Sequence, residues 1–216
     1  MIGGSNNRAG QVAAAAAALT AWAALSLQFV LTVRLMTLQG ASLAAAVWRL
    51  AGYFTLLTNL GVAIVASMMA LAPANRSVGP RTKLATAASI AFVGLVYSVA
   101  LRAHWSPTGW QAVADHALHD ATPLLFLLAW LLAGHGQLKW RDAGWALVPP
   151  GLYCAYALIR GAVDGWYAYW FLDPAKLGLA KLSLSIAALL AALLIVAVML
   201  VAVDKWLARR PRLPTI

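Results

Sequence analysis

Six apolar runs, each about as long as a bilayer is thick, leave this chain little choice of solvent. They cover approximately 12–33, 48–72, 84–103, 113–133, 144–162 and 177–203. At a helical rise of about 1.5 Å per residue, roughly 20 residues cross the ~30 Å hydrocarbon core. Strands of a membrane barrel would instead alternate polar and apolar residues over about ten positions, and no such alternation is present. Charged residues make up 10% of the 216 and there is no glutamate, whereas a water-facing globule carries about a quarter charged residues. The expected fold is all-α: one polytopic membrane domain over 1–216, built as a bundle of six transmembrane helices.

The net charge of +10 would suggest nucleic acid in a soluble protein. Here the basic residues flank apolar runs and form no nucleic-acid-binding motif, so they read as orientation signals beside lipid headgroups. With the N-terminus inside, the inner loops hold Arg8, Arg76, Arg81, Lys83, Lys139, Arg141, Lys205, Arg209, Arg210 and Arg212. The outer side holds Arg34, Arg49, Arg102, Arg160, Lys176 and Lys181. Ten against six puts both termini in the cytoplasm. Four of the six aspartates, Asp115, Asp120, Asp164 and Asp173, then fall outside. The single cysteine, Cys154, lies within an apolar run; it excludes an intrachain disulfide and reads as a packing residue.

Ionisable groups at membrane depth are costly and are functional candidates by default. The fourth run reaches bilayer length only if its helix begins near Val113, which draws Asp115, His116, His119 and Asp120 into the first two turns. Asp115 and His119 are four apart and share a face. That pair fits catalysis, but also a structural ion pair. A metal chelate on Asp115, His116 and His119 would need ligands from another helix, and none stands out. On the second run Thr55, Thr58 and Asn59 share a face at spacing i, i+3, i+4; taken alone, interhelical hydrogen bonding accounts for them. Thr55 and His119, however, lie at similar shallow depth. A hydroxyl and an imidazole in a dry site are the minimum for nucleophilic acyl transfer, with Asn59 as an oxyanion donor or a brace. The fifth run carries a stripe of Tyr153, Tyr156, Arg160 and Asp164. The aromatic loop after it contains Trp166, Tyr167, Tyr169, Trp170 and Phe171, which suits an interfacial belt or the cap of a lipid cavity.

Three stretches together carry a resemblance: Arg49-Leu-Ala-Gly-Tyr-Phe-Thr55-Leu-Leu-Thr58-Asn59, Asp115-His116-Ala-Leu-His119, and Tyr156-Ala-Leu-Ile-Arg160-Gly161 with the loop to Asp173. Their order and spacing resemble the bacterial six-transmembrane relatives of the androgen-inducible fatty-acid-ester hydrolases, threonine hydrolases whose eukaryotic members cleave fatty acid esters of hydroxy fatty acids. The resemblance covers the second to fifth runs. The loop lacks the proline usual in that family, and Asp120 stands after His119 where an uncharged residue is expected. By position, the resemblance implies Thr55 as nucleophile and His119 as base in an intramembrane lipid-ester hydrolase. Asp115 or Asp120 would orient the imidazole. Asn59, Thr58, Asp115, His116, Arg102, Tyr156, Arg160, Tyr167 and Tyr169 are the expected substrate-binding residues, with Arg102 or Arg160 set to pair with a fatty-acid carboxylate. The expected partners are membrane lipids or a lipid-like ester, without nucleic acid, cofactor or metal. The expected location is the bacterial inner (plasma) membrane, with the active site toward the outer side. The alternative is a lipid-binding or small-solute transport protein that uses the same polar cluster without catalysis.

The orientation yields a direct test. Reporter fusions at Lys139 and at Gly165 should fall on opposite sides of the membrane, with Lys139 cytoplasmic; the same side for both would refute the six-pass arrangement.

Overall fold

A computed structural model of the chain describes residues 4–72 and 78–209. Pro73, Arg76, Arg210 and Arg212, which entered the boundary and orientation arguments, lie outside the described residues. Among those described there is no strand. The helices are α1 (Gly4–Leu38), α2 (Leu43–Ala51), α3 (Phe54–Leu71), α4 (Pro80–Val96), α5 (Gly109–His116), α6 (Thr122–Leu131), α7 (Val148–Asp164) and α8 (Pro174–Ala208). Five helical stretches are long and apolar enough to cross a membrane: Arg8–Leu38, Phe54–Leu71, Pro80–His104, Trp140–Asp164 and Pro174–Ala208. The chain is therefore an all-α membrane protein. The fourth apolar run is helical as far as Leu131, but its first half carries Asp115, His116, His119 and Asp120, which keeps it out of that set.

The second run is not one helix, as its unbroken apolarity had suggested. It divides at Gly52 and Tyr53 into α2 and α3. The cause is tertiary. The Gly52 carbonyl accepts a hydrogen bond from the Tyr153 hydroxyl at 2.8 Å, and a Cβ at Gly52 would run into the Arg160 guanidinium and the Trp166 ring. Only glycine lets α7 and the aromatic loop approach this closely.

Two π-helical turns interrupt the bundle, Tyr97–Leu101 after α4 and Ala117–Ala121 between α5 and α6. Pro123 accounts for the second. It offers no N–H to the carbonyl of residue i−4, which is His119, and its ring would strike that carbonyl in a regular helix; a widened turn relieves both faults. Gly94 on α4 packs against the widened turn, where a Cβ would sit 3.2 Å from the His119 carbonyl oxygen and 3.5 Å from Pro123 Cβ.

The core is small-residue packing: Ala14, Ala17 and Ala21 of α1 meet Val62, Ala63 and Ala66 of α3, with Ala87, Ala88 and Ile90 of α4 beside them. Alanines let helix backbones approach closely, which replaces the hydrophobic drive that lipid cannot supply. Leu179, Leu184, Ile195 and Met199 of α8 stay exposed, as a lipid-facing surface requires. Gly52→Val should lower thermal stability in detergent by about 1–3 kcal/mol, the usual cost of overpacking, and unfolding followed by circular dichroism measures it.

Candidate functional site

The polar residues of the fourth run meet the π-turn of α4. Asp115 is 4% exposed, and its carboxylate accepts a hydrogen bond from the Tyr97 hydroxyl. His119 Nδ1 lies 3.0 Å from the Asp115 backbone oxygen and 3.3 Å from its Oδ1. Both partners are acceptors, so Nδ1 carries the proton and, in the neutral ring, Nε2 keeps the lone pair. Nε2 makes no hydrogen bond to any described residue. The Tyr97 ring stacks on the imidazole, with centroids 3.8 Å apart and planes at 13°. Sequence reasoning missed Tyr97. A tyrosine within an apolar run, whose phenol needs a partner when buried, was the available signal.

Asp120 turns the other way, to Arg102 and to His116 Nδ1 at 2.8 Å, while the Arg102 guanidinium also lies over the Tyr97 ring at 4.9 Å. Asp115 is thus the carboxylate that orients His119, and the exposed His116 belongs to a separate surface pair. Among the described residues no three His, Cys, Asp or Glu side chains converge as metal ligands.

Thr55 is buried at the start of α3. Its backbone N–H, one of the donors a helix N-terminus leaves unpaired, donates to the Tyr169 hydroxyl at 3.3 Å, and its Oγ1 lies 3.3 Å from the same oxygen. The aromatic loop therefore caps α3. Burial pushes the Tyr169 phenol above its ordinary range, so it remains a neutral donor. Burial raises Tyr53 likewise, with Arg49 and Arg160 opposing. Asn59 donates from Nδ2 to the Thr55 carbonyl at 2.9 Å and to the Leu118 carbonyl at 3.2 Å. Those two bonds engage its amide group as a brace between α3 and the π-turn; its Oδ1 has no partner among the described residues.

Thr55 and His119 make no direct hydrogen bond. Thr55 lines a small apolar cavity of about 50 Å³, walled by Phe54, Tyr97, Leu101, Tyr153, Tyr169 and Leu189 among others. His119 does not line it, but its stacking partner Tyr97 does. Thr58 instead faces a larger groove of about 660 Å³, and Phe54 and Tyr153 border both spaces.

Arg160 is 5% exposed and enclosed by the protein's own groups. Its Nε donates to Asp164 at 3.1 Å and its Nη1 to the Tyr156 hydroxyl at 3.3 Å. Trp48 and Trp166 lie against the guanidinium at 4.2 and 4.9 Å. Tyr167 packs on Gly161, leaving no room for a Cβ there.

No family model, no curated protein and no solved structure matches the chain. The class that the fold and site define is accordingly broad: a helical membrane protein with a Tyr–Asp–His cluster around a buried aspartate, near a buried threonine. Tyr97→Phe leaves one Asp115 oxygen without its donor and should cost about 1–3 kcal/mol of stability, read as a lower unfolding midpoint in detergent.

Proposed function

We propose that this protein is an intramembrane lipid-ester hydrolase of the bacterial inner membrane, with Thr55 as nucleophile and His119 as general base. In this reading the helical stretch through Ala117–Ala121 is a sixth crossing, both termini are cytoplasmic, and the site lies toward the outer side. The observation that carries the proposal is the His119 tautomer: Asp115 holds Nδ1–H, which leaves Nε2 as a base one stacked ring away from the cavity of Thr55.

The chemistry runs in two halves. Thr55 Oγ1 bonds to the ester carbonyl carbon while His119 Nε2 takes its proton; the intermediate then expels the alcohol, which leaves with that proton. Water next attacks the acyl-threonine, His119 takes a water proton and returns it to Thr55 Oγ1, and the fatty acid departs. Tyr169, neutral and 3.3 Å from Thr55 Oγ1, is a donor for the developing oxyanion. The cavity of about 50 Å³ has room for the reacting carbonyl but not for an acyl chain, so substrate entry requires its apolar walls, Leu101 and Leu189 among them, to part.

Thr55→Ala and His119→Ala should each lower kcat on long-chain esters by about 10²–10⁴-fold, and the double variant should lose little more, because a nucleophile and its base act as a unit. A fluorophosphonate probe should label Thr55. Near-full ester hydrolysis by Thr55→Ala would falsify the mechanism, and a lipid-binding or transport role for the same cluster would then stand.

A further inference from the structure

The larger groove takes no part in the proposed reaction. It lies between α3, α4 and α7, with Phe54, Leu57, Leu152 and Tyr153 among its walls, and Thr58, Thr82, Thr86 and Ser89 also line it. Helical rise gives about 10 Å from Phe54 to Gly61 and about 12 Å from Ser89 back to Arg81, so the groove is roughly 20 Å long. Its volume of about 660 Å³ falls within the ~300–1,000 Å³ of sites that hold a small organic ligand.

One further feature, the charge at one end, indicates an occupant. The Arg81 end is strongly basic. Arg81 gives Nε to Asp142 at 2.8 Å, and Lys83, Lys139 and Arg141 stand within three residues of one or other member of that pair. The charges of Arg81 and Arg141 both act on the Asp142 carboxylate, and the Arg81 Nη groups make no hydrogen bond to a described residue.

We propose that this groove binds an anionic phospholipid, with the phosphate on Arg81 and one acyl chain running past Gly61 and Ser89 toward Phe54. The second chain stays in the surrounding bilayer. Guanidinium and phosphate pair strongly, and basic pockets between membrane helices suit acidic headgroups. This site is separate from the hydrolase reading and does not depend on it.

Gly61 supplies the decisive variant. A Cβ there meets nothing within 4 Å, so Gly61→Leu fills the groove and replaces glycine with a better helix former. The full chain is placed in phosphatidylcholine nanodiscs containing phosphatidylglycerol with a diazirine in one acyl chain, irradiated, and its adducts are mapped. Adducts are expected on Leu57 or Leu152. Gly61→Leu should reduce them about tenfold, a loss of roughly 1.4 kcal/mol, and Arg81→Gln should reduce the preference over a matched phosphatidylcholine probe, with Arg81→Lys retaining part of it. Thr55→Ala should label as the unaltered chain does, so lost hydrolysis with retained labelling separates the two readings. Equal labelling by both probes, labelling unchanged in Gly61→Leu, or a groove covered by a second copy and free of lipid adducts overturns the proposal.

Discussion

A carboxylate between apolar helices is tolerated only when its oxygens find donors, and Asp115 meets that condition by drawing in two neighbours. Tyr97 reaches one oxygen from the α4 side, and His119 approaches the other from one turn along its own helix. Leaving one of its oxygens without a donor costs about 1–3 kcal/mol, so Asp115 ties the π-turn after α4 to the one before α6. That tie also fixes the imidazole in one tautomer. The arrangement depends on both π-turns: one carries Tyr97 itself, and the other carries His119 and relieves the fault made by Pro123.

The aromatic loop serves the other half of the site in a comparable way. Helix α3 begins without a side-chain cap from its own N-cap residue, Tyr53, and Tyr169 supplies the missing acceptor from far along the chain. Tyr169 is held by edge-to-face contacts with Tyr53 and Tyr153 and a stacked contact with Phe171. Arg160 anchors the neighbouring segment between Trp48 and Trp166. The density of aromatics, legible in the sequence only as a belt or a cap, is here a scaffold around the start of α3.

The helices were legible because apolar runs of bilayer length have one economical conformation in lipid. The Asp115–His119 pair was legible because four residues make one helical turn and because Asp120 stood too far along to begin the crossing. The break at Gly52 was not. Gly52 after Arg49 is a weak stop signal that glycines inside membrane helices also give, and what makes glycine necessary there is the approach of Arg160 and Trp166 from more than a hundred residues away. The direction of Asp120 was hidden for a related reason: the sequence could not show that Arg102 would reach it and leave Asp115 to the imidazole.

Asn59 joins these two halves. Its Nδ2 holds the carbonyl of Thr55 and that of Leu118, the residue preceding His119, so a single amide group fixes the backbone beside both proposed reacting side chains. Any sliding of α3 against the π-turn must stretch one of those bonds in an environment with no water to replace it. The Thr55 hydroxyl is less constrained. Its contact with Tyr169 is one neutral hydrogen bond, worth about 1 kcal/mol net, and a rotation about χ1 exchanges that partner without moving the helix. The backbone beside Thr55 and His119 is therefore braced, while the Thr55 hydroxyl is held by a single exchangeable contact. In the proposed reaction, this division would let the hydroxyl turn toward the imidazole once the cavity walls part for a substrate.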